Sequence, residues 1–184
     1  MIINNRKNEL RKHFFKIRKT IKRKKHKECI VNLRLFEFLK VQKQRTLAGY
    51  LAVKGELNIV PVINYLRQLN FNISLPYIEK KNKPLLFKNW NEDEKLELGM
   101  FNIKVPKTNI FSKPDIILVP LLAFNSRKFR LGYGGGFYDR TILDRKKEIL
   151  SIGIGFDEQE SNKLPVEKYD QNLDMIITPN RLIT

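Results

Sequence analysis

The chain has 184 residues, 42% of them hydrophobic, and a net charge of +17. That is enough apolar material for one substantial core, so a single domain over residues 1–184 is expected. No apolar run approaches the ~18–20 residues that span a bilayer, and Met1–Lys7 lacks the apolar core of a secretory leader. Cys29 stands alone and cannot form an internal disulfide, which fits a cytoplasmic protein. Cys29, His13 and His26 all fall in the basic first third, without zinc spacing or a Cys–His pair.

The charge is local. Residues 1–50 carry 16 Lys/Arg against 3 Asp/Glu, and residues 51–184 carry 20 against 16. A basic segment of this kind binds nucleic acid through counterion release, draws in anionic small ligands, or reflects a Lys/Asn/Ile-rich composition alone. No aromatic-interleaved RNA-binding motif accompanies it, so no specific nucleic-acid partner is expected.

In chain order, Leu10, Phe14, Ile17 and Ile21 form one apolar stripe and predict a helix from about Asn5 to Lys25. A second helix near Glu28–Leu39 buries Val31, Leu35, Phe38 and Leu39, and His13 and His26 read as solvated helix residues. Leu47–Val53 reads as a strand, followed by a Gly55-Glu56 turn. Asn58 then caps a helix over Ile59–Leu69, with Pro61 in its first turn. Next come a strand at Phe71–Pro76, a turn at Glu79–Lys83 and an antiparallel extension at Pro84–Trp90. Asn91–Pro114 reads as irregular apart from a short strand at Phe101–Ile103. Beyond it lie a strand at Asp115–Val119, a glycine cluster, a helix at Phe137–Glu148, and strands at Ser151–Phe156 and Met175–Ile177. Alternating strands and helices imply a mostly parallel sheet covered on both faces, a three-layer α/β/α sandwich. Ligands in such sheets sit at the carboxyl ends of the strands, which places the Gly55-Glu56 turn and the glycine cluster on one rim.

Gly132, Gly134, Gly135 and Gly136 stand between Arg130 and Arg140, with Asp139 beyond them. The pattern is neither a P-loop nor a dinucleotide fingerprint. It is either a tight structural turn or a cradle whose main-chain amides, helped by the following helix, hold a phosphate. Lys7 and Arg11, four apart on one helical face, are able to grip a polyphosphate or to lie solvated. Asp139 also fits as a first-turn helix carboxylate, Asp170 as a loop acid and Glu56 as a surface residue. Phe87 and Trp90 read as packing residues.

Val119-Pro120-Leu121-Leu122-Ala123-Phe124 followed by Arg130-Leu131-Gly132-Tyr133-Gly134-Gly135-Gly136-Phe137-Tyr138-Asp139-Arg140 resembles the signature of the 5-formyltetrahydrofolate cyclo-ligase (methenyltetrahydrofolate synthetase) family. Lys7-Asn8-Glu9-Leu10-Arg11, Tyr50–Glu56, Leu75-Pro76, Phe87 with Trp90, Gly99–Ile103, Pro165 with Asp170, Leu173-Asp174 and Ile177-Thr178 follow in that family's order. The resemblance implies a sandwich of the NagB/RpiA/CoA-transferase-like kind. It also implies a monomer or weak homodimer that takes ATP, Mg2+ and 5-formyltetrahydrofolate, with or without a polyglutamate tail.

By the same resemblance Lys7, Arg11 and the loop from Arg130 through Gly132, Tyr133, Gly134, Gly135, Gly136 and Phe137 to Tyr138 bind ATP. Arg130 and Tyr138 are catalytic, and Asp139 and Asp170 hold Mg2+. Glu56 hydrogen-bonds the pterin, and Leu51, Phe101, Tyr133, Phe137 and Tyr138 wall the folate beside Gly134, Gly135 and Gly136. The implied reaction passes the γ-phosphoryl group of ATP to the formyl oxygen, after which N10 closes the ring. Five positions depart from the family pattern: Ala52 for proline, Asn125 for aspartate, Lys128 for glycine, Phe137 for tyrosine and Tyr169 for histidine. A degenerate member that binds folate without turnover is the remaining alternative.

Overall fold

The computed structural model describes residues 2–145 and 148–184. Helix α1 (Ile2–Thr20) is separated from α2 (Lys24–Lys40), where the sequence had suggested one helix running to Lys25. The break has a local cause. The Thr20 hydroxyl donates back to the Ile17 carbonyl at 3.0 Å, and Arg23 takes a left-handed conformation at φ 52°. It frees the two helices to pack on different surfaces. Val31, Leu35 and Leu39 of α2 are completely buried, while Phe38 at the edge of that row is only half-buried.

Strand β1 (Thr46–Ala48) stops well short of the expected Val53. After Gly49 donates to the Ser74 carbonyl at 2.9 Å, the chain leaves the sheet, and Lys54 and Gly55 turn it at φ 49° and 78°. Helix α3 (Val60–Gln68) carries Pro61 in its first turn as expected. Its free amides are met by Asn58, whose Oδ1 accepts from Val60 N–H at 3.1 Å, and by Asn32 of α2, which accepts from Val62 N–H at 3.2 Å. Strands β2 (Asn72–Tyr77) and β3 (Leu86–Asn89) pair antiparallel, with Ser74 opposite Asn89.

Strands β4 (Leu96–Leu98) and β5 (Lys104–Pro106) form a hairpin around a 3-10 turn at Met100–Asn102. The expected strand at Phe101–Ile103 is therefore absent, because Phe101 and Asn102 sit at φ 60° and 56° and cannot be extended. Strand β6 (Ile116–Pro120) matches expectation. A second hairpin, β7 (Ala123–Phe124) and β8 (Arg130–Leu131), then lies between it and the glycine cluster. Asn125 builds the hairpin's turn: its Oδ1 accepts the Arg127 and Phe129 amides at 3.1 Å each. Helix α4 (Phe137–Arg145) is followed by a turn in which Glu148 N–H donates to the Arg145 carbonyl at 2.8 Å. Its expected extension to Glu148 crosses Lys146 and Lys147, outside the described residues. Strands β9 (Leu150–Ile154), β10 (Met175–Ile177) and β11 (Leu182–Ile183) complete the chain.

The central sheet runs β11-β10-β9-β6-β1-β2-β3. Its middle five strands are parallel, and β11 and β3 are antiparallel edges. Alternate residues of β6 feed two cores: Ile116 and Leu118 face α2 and α3, while Ile117 and Val119 face the layer containing Ile142 of α4. Burial on both faces explains the unbroken apolar run. Helix α1 stands outside these layers, its Phe14 packed with Leu122, Ala123, Leu131 and Leu164 beside the β7–β8 hairpin. Neighbouring parallel strands β1 and β6 (Ala48 opposite Ile117) release their following loops from the same edge. That edge carries the site.

Lys128 is held at φ 65° in the Asn125 turn, a conformation that strains any residue with a Cβ. Lys128→Gly should raise stability by about 0.5 kcal/mol, the relief of strain exceeding the extra freedom of glycine in the unfolded chain. The midpoint of urea unfolding measures it.

Candidate active site

A cavity of about 890 Å3 opens at the carboxyl rim of the sheet, within the size range of small-molecule sites. Its walls bring together every residue that the resemblance assigned to the site, Lys7, Arg11, Leu51, Glu56, Phe101, Arg130, Gly132, Tyr133, Gly134, Gly135, Gly136, Phe137, Tyr138, Asp139 and Asp170, while Arg140 lies outside the lining. Six segments supply them, namely α1, the loop after β1, the β4–β5 hairpin, strand β8, the glycine loop with the start of α4, and the loop around Asp170.

The glycine loop is held by its carbonyls. Arg11 Nε donates to Gly132 O at 2.9 Å and Arg140 Nη2 to Gly135 O at 2.7 Å, while Gly136 O accepts the Arg140 amide. Gly134 and Gly136 sit at φ 98° and 65°, and a Cβ on Gly136 would lie 2.7 Å from Arg140 Nη1. Among the described residues, none of the five amides from Gly132 to Gly136 donates a hydrogen bond within the protein. Consecutive unpaired amides beside a helix N-terminus form an anion cradle.

Arg130 lies beneath this loop with its side chain 4% exposed. Its Nη2 is 3.2 Å from Asp139 Oδ2, and its Nη1 donates to Gln171 O at 3.3 Å. Asp139 Oδ1 accepts from Gln171 N–H at 3.1 Å, so the dipole-stabilised helix carboxylate also ties α4 to the Asp170 loop. Asp170 accepts from Lys7 Nζ at 2.6 Å and from the Glu167 amide at 2.8 Å. The two carboxylates line one cavity, yet no cluster of three metal-ligating side chains occurs among the described residues. That donor set fits Mg2+, which commonly takes one or two carboxylates and completes its shell with phosphate oxygens and water.

Glu56 is 6% exposed, and its Oε2 accepts from Val53 N–H at 2.9 Å. Burial raises its pKa above the ordinary carboxylate value. The Val53 amide, the nearby Tyr133 hydroxyl, Arg18 and Lys54 only partly offset that burial. Burial and the Glu56 charge also push the Tyr133 and Tyr138 phenols well above their usual value, so both remain protonated donors at neutral pH. Phe101, 57% exposed and strained at φ 60°, ψ 24°, stands edge-on to Phe137 with ring centroids 6.1 Å apart. Leu51 lines the wall half-buried.

The cations of α1 divide by face. Lys7 and Arg18 are buried and Arg11 is half-buried, whereas Lys12, Lys16 and Lys19 are exposed. Arg18, overlooked in the sequence, donates to the Tyr133 hydroxyl at 2.9 Å and to Leu121 O at 2.6 Å, bracing the glycine loop against the segment that follows β6. Its spacing of seven from Arg11, two helical turns, was the available signal. Glu167 was also overlooked, and no local pattern marks it. Of the five departures from the family pattern, Asn125 retains the acceptor oxygen of an aspartate, and Ala52 and Tyr169 are exposed. Phe87 and Trp90 are buried packing residues, as expected.

Residues 3–179 match the 5-formyltetrahydrofolate cyclo-ligase family. The chain is 32% identical over 156 residues to the 5-formyltetrahydrofolate cyclo-ligase of Escherichia coli strain K12, spanning 81% of this chain and 86% of that protein. A solved 5,10-methenyltetrahydrofolate synthetase from Mycoplasma pneumoniae superposes with TM-score 0.78 at 26% identity over 94% of this chain and 98% of that one. The Aquifex aeolicus 5,10-methenyltetrahydrofolate synthetase gives TM-score 0.80 at 25% identity, over 96% and 91%. Fold and relatives together define an ATP-dependent ligase. The chain belongs to the 5-formyltetrahydrofolate cyclo-ligase family.

Because the folded state raises the Glu56 pKa, ionised Glu56 weakens the fold. This cost is absent below the unfolded-state value of 4.5 and complete above the raised folded-state value. Glu56→Gln should therefore gain stability relative to the parent chain as pH rises from 4.5 to the raised value and keep that gain above it, measured as the difference in urea midpoints.

Proposed function

We propose that this chain closes 5-formyltetrahydrofolate to 5,10-methenyltetrahydrofolate, with ATP converted to ADP and phosphate. Family membership supports the reaction, and the five unpaired amides from Gly132 to Gly136 are the observation that carries it. A formyl group on nitrogen is an amide, and its oxygen leaves poorly. Transfer of the γ-phosphoryl group to that oxygen forms an iminophosphate. N10 then bonds to the formyl carbon, the carbon–oxygen bond breaks to release phosphate, and the N10 proton is lost. Because N10 belongs to the same molecule, closure has the advantage of an intramolecular step.

The protein's task is alignment and charge stabilisation. Lys7 and Arg11 take the triphosphate, and the amides from Gly132 to Gly136 receive the phosphoryl group in transit. Arg130 and Tyr138 act as the catalytic pair: the buried guanidinium offsets growing negative charge, and the protonated phenol donates to an oxygen of the reacting group. Glu56 accepts from the pterin amino and ring N–H donors, and Leu51, Phe101, Tyr133 and Phe137 enclose the rings. Asp139 and Asp170 would hold Mg2+, which neutralises the triphosphate and orients its terminal group. We assign the whole chain to one domain of the NagB/RpiA/CoA-transferase-like kind, working in the cytoplasm as a monomer or weak homodimer. The rim position of the cavity and the free Cys29 favour this setting.

Purified protein with ATP, Mg2+ and 5-formyltetrahydrofolate should develop the near-ultraviolet absorbance of the methenyl product. Asp139→Ala should reduce that rate by about 100-fold. A folded, ATP-binding protein that produces no absorbance change would refute the assignment. Mg2+ should raise the thermal midpoint in the presence of ATP and leave it unchanged alone, since two carboxylates already paired with cations make an incomplete site.

A further inference from the structure

On the α1 side of the cavity, the cation proposed to take the triphosphate is already occupied. Lys7 Nζ lies 2.6 Å from Glu167 Oε2 and 2.6 Å from Asp170 Oδ2, with the Lys7 side chain only 8% exposed. Two carboxylates occupy one ammonium here, with Arg11 the next cation to them, so the Lys7 charge reaches a triphosphate only if one of its partners moves. The two carboxylates differ in freedom. Asp170, 23% exposed, is anchored by the Glu167 amide at 2.8 Å, whereas the Glu167 carboxylate is 38% exposed and has no partner besides Lys7 among the described residues.

We propose that Glu167 is a positioning residue of the nucleotide site: it holds the Lys7 ammonium and yields it to the triphosphate when ATP enters. Loading is then an exchange of partners. Lys7 passes from carboxylate to phosphate, Glu167 turns to solvent, and the anchored Asp170 is left facing the incoming charge. Nearby Arg11 needs no such release, because its Nε is held by a neutral carbonyl, Gly132 O. This inference rests on the reading of the cavity as an ATP site.

The test is a calorimetric double-mutant cycle with a chelator present, titrating ATP and, separately, inorganic tripolyphosphate into the parent chain, Glu167→Gln, Lys7→Met and the double variant. Removing the competitor should tighten both ligands about threefold in Glu167→Gln, as expected for a half-exposed ion pair. Losing the cation should weaken them about tenfold in Lys7→Met. In the Lys7→Met background, Glu167→Gln should then change nothing. Tightening that persists without Lys7 would mean simple repulsion by Glu167 and would overturn the exchange, as would an unaltered affinity in Glu167→Gln. Glu167→Asp, which keeps the charge but shortens the reach to Lys7, should shift affinity in the same direction and covers poor folding of the first variant. A folded parent chain that binds neither ligand would remove the nucleotide reading as well, whereas binding without coupling removes only the exchange.

Discussion

Two guanidinium groups hold one short loop by its oxygen side, a third secures the helix that follows it, and the site depends on that arrangement. Arg11 from α1 takes the Gly132 carbonyl, Arg140 from α4 takes the Gly135 carbonyl, and Arg130 from β8 secures the start of α4 through Asp139. With the Gly132, Gly135 and Gly136 carbonyls taken and the loop amides free among the described residues, the loop has a definite electrostatic sense: it offers donors. Left-handed Gly134 and Gly136 allow this, since a side chain at either position would be strained and would crowd an arginine.

Around this cradle, charge and burial work against each other. Lys7, Arg18 and Glu56 are all buried, and each is held by specific partners: two carboxylates for Lys7, the Tyr133 hydroxyl and Leu121 carbonyl for Arg18, the Val53 amide for Glu56. Burying a charge is costly unless it is paired, so these partners also set the geometry. The contacts run between elements far apart in sequence, which makes the cavity a junction of α1, the loop after β1 and the glycine loop. This arrangement carries protonated phenols, paired cations and strained Phe101 at the rim. Strain at such a position persists only where the surroundings over-determine it, and it clusters at sites that act on ligands.

Much of this could be read from local pattern. The β6 run is apolar because it is buried on both faces, and the α2 row Val31, Leu35 and Leu39 repeats at four-residue spacing because one face meets the sheet. Glycines followed by a helix, with arginines on either side, mark the cradle because few residue types tolerate that backbone. Other features carry no local signal. Strands β7, β8 and β11 have two residues each, too short for any periodicity. Phe101 belongs by propensity to a strand, and only the closing of the β4–β5 hairpin places it in a left-handed turn.

The chain by itself determined which segments are helix and which are buried strand, and where the backbone could approach an anion. Those properties depend on side-chain volume, hydrophobic spacing and glycine's missing Cβ, all of which are local. The tertiary structure alone decided which charges face inward. Helix α1 bears cations on several sides, and packing Phe14 against the β7–β8 hairpin selects Lys7 and Arg11 for the cavity and Arg18 for the interior behind Tyr133, while leaving Lys12, Lys16 and Lys19 in water. Glu167 acquires its role the same way, through a contact 160 residues away in sequence that no window of the chain contains.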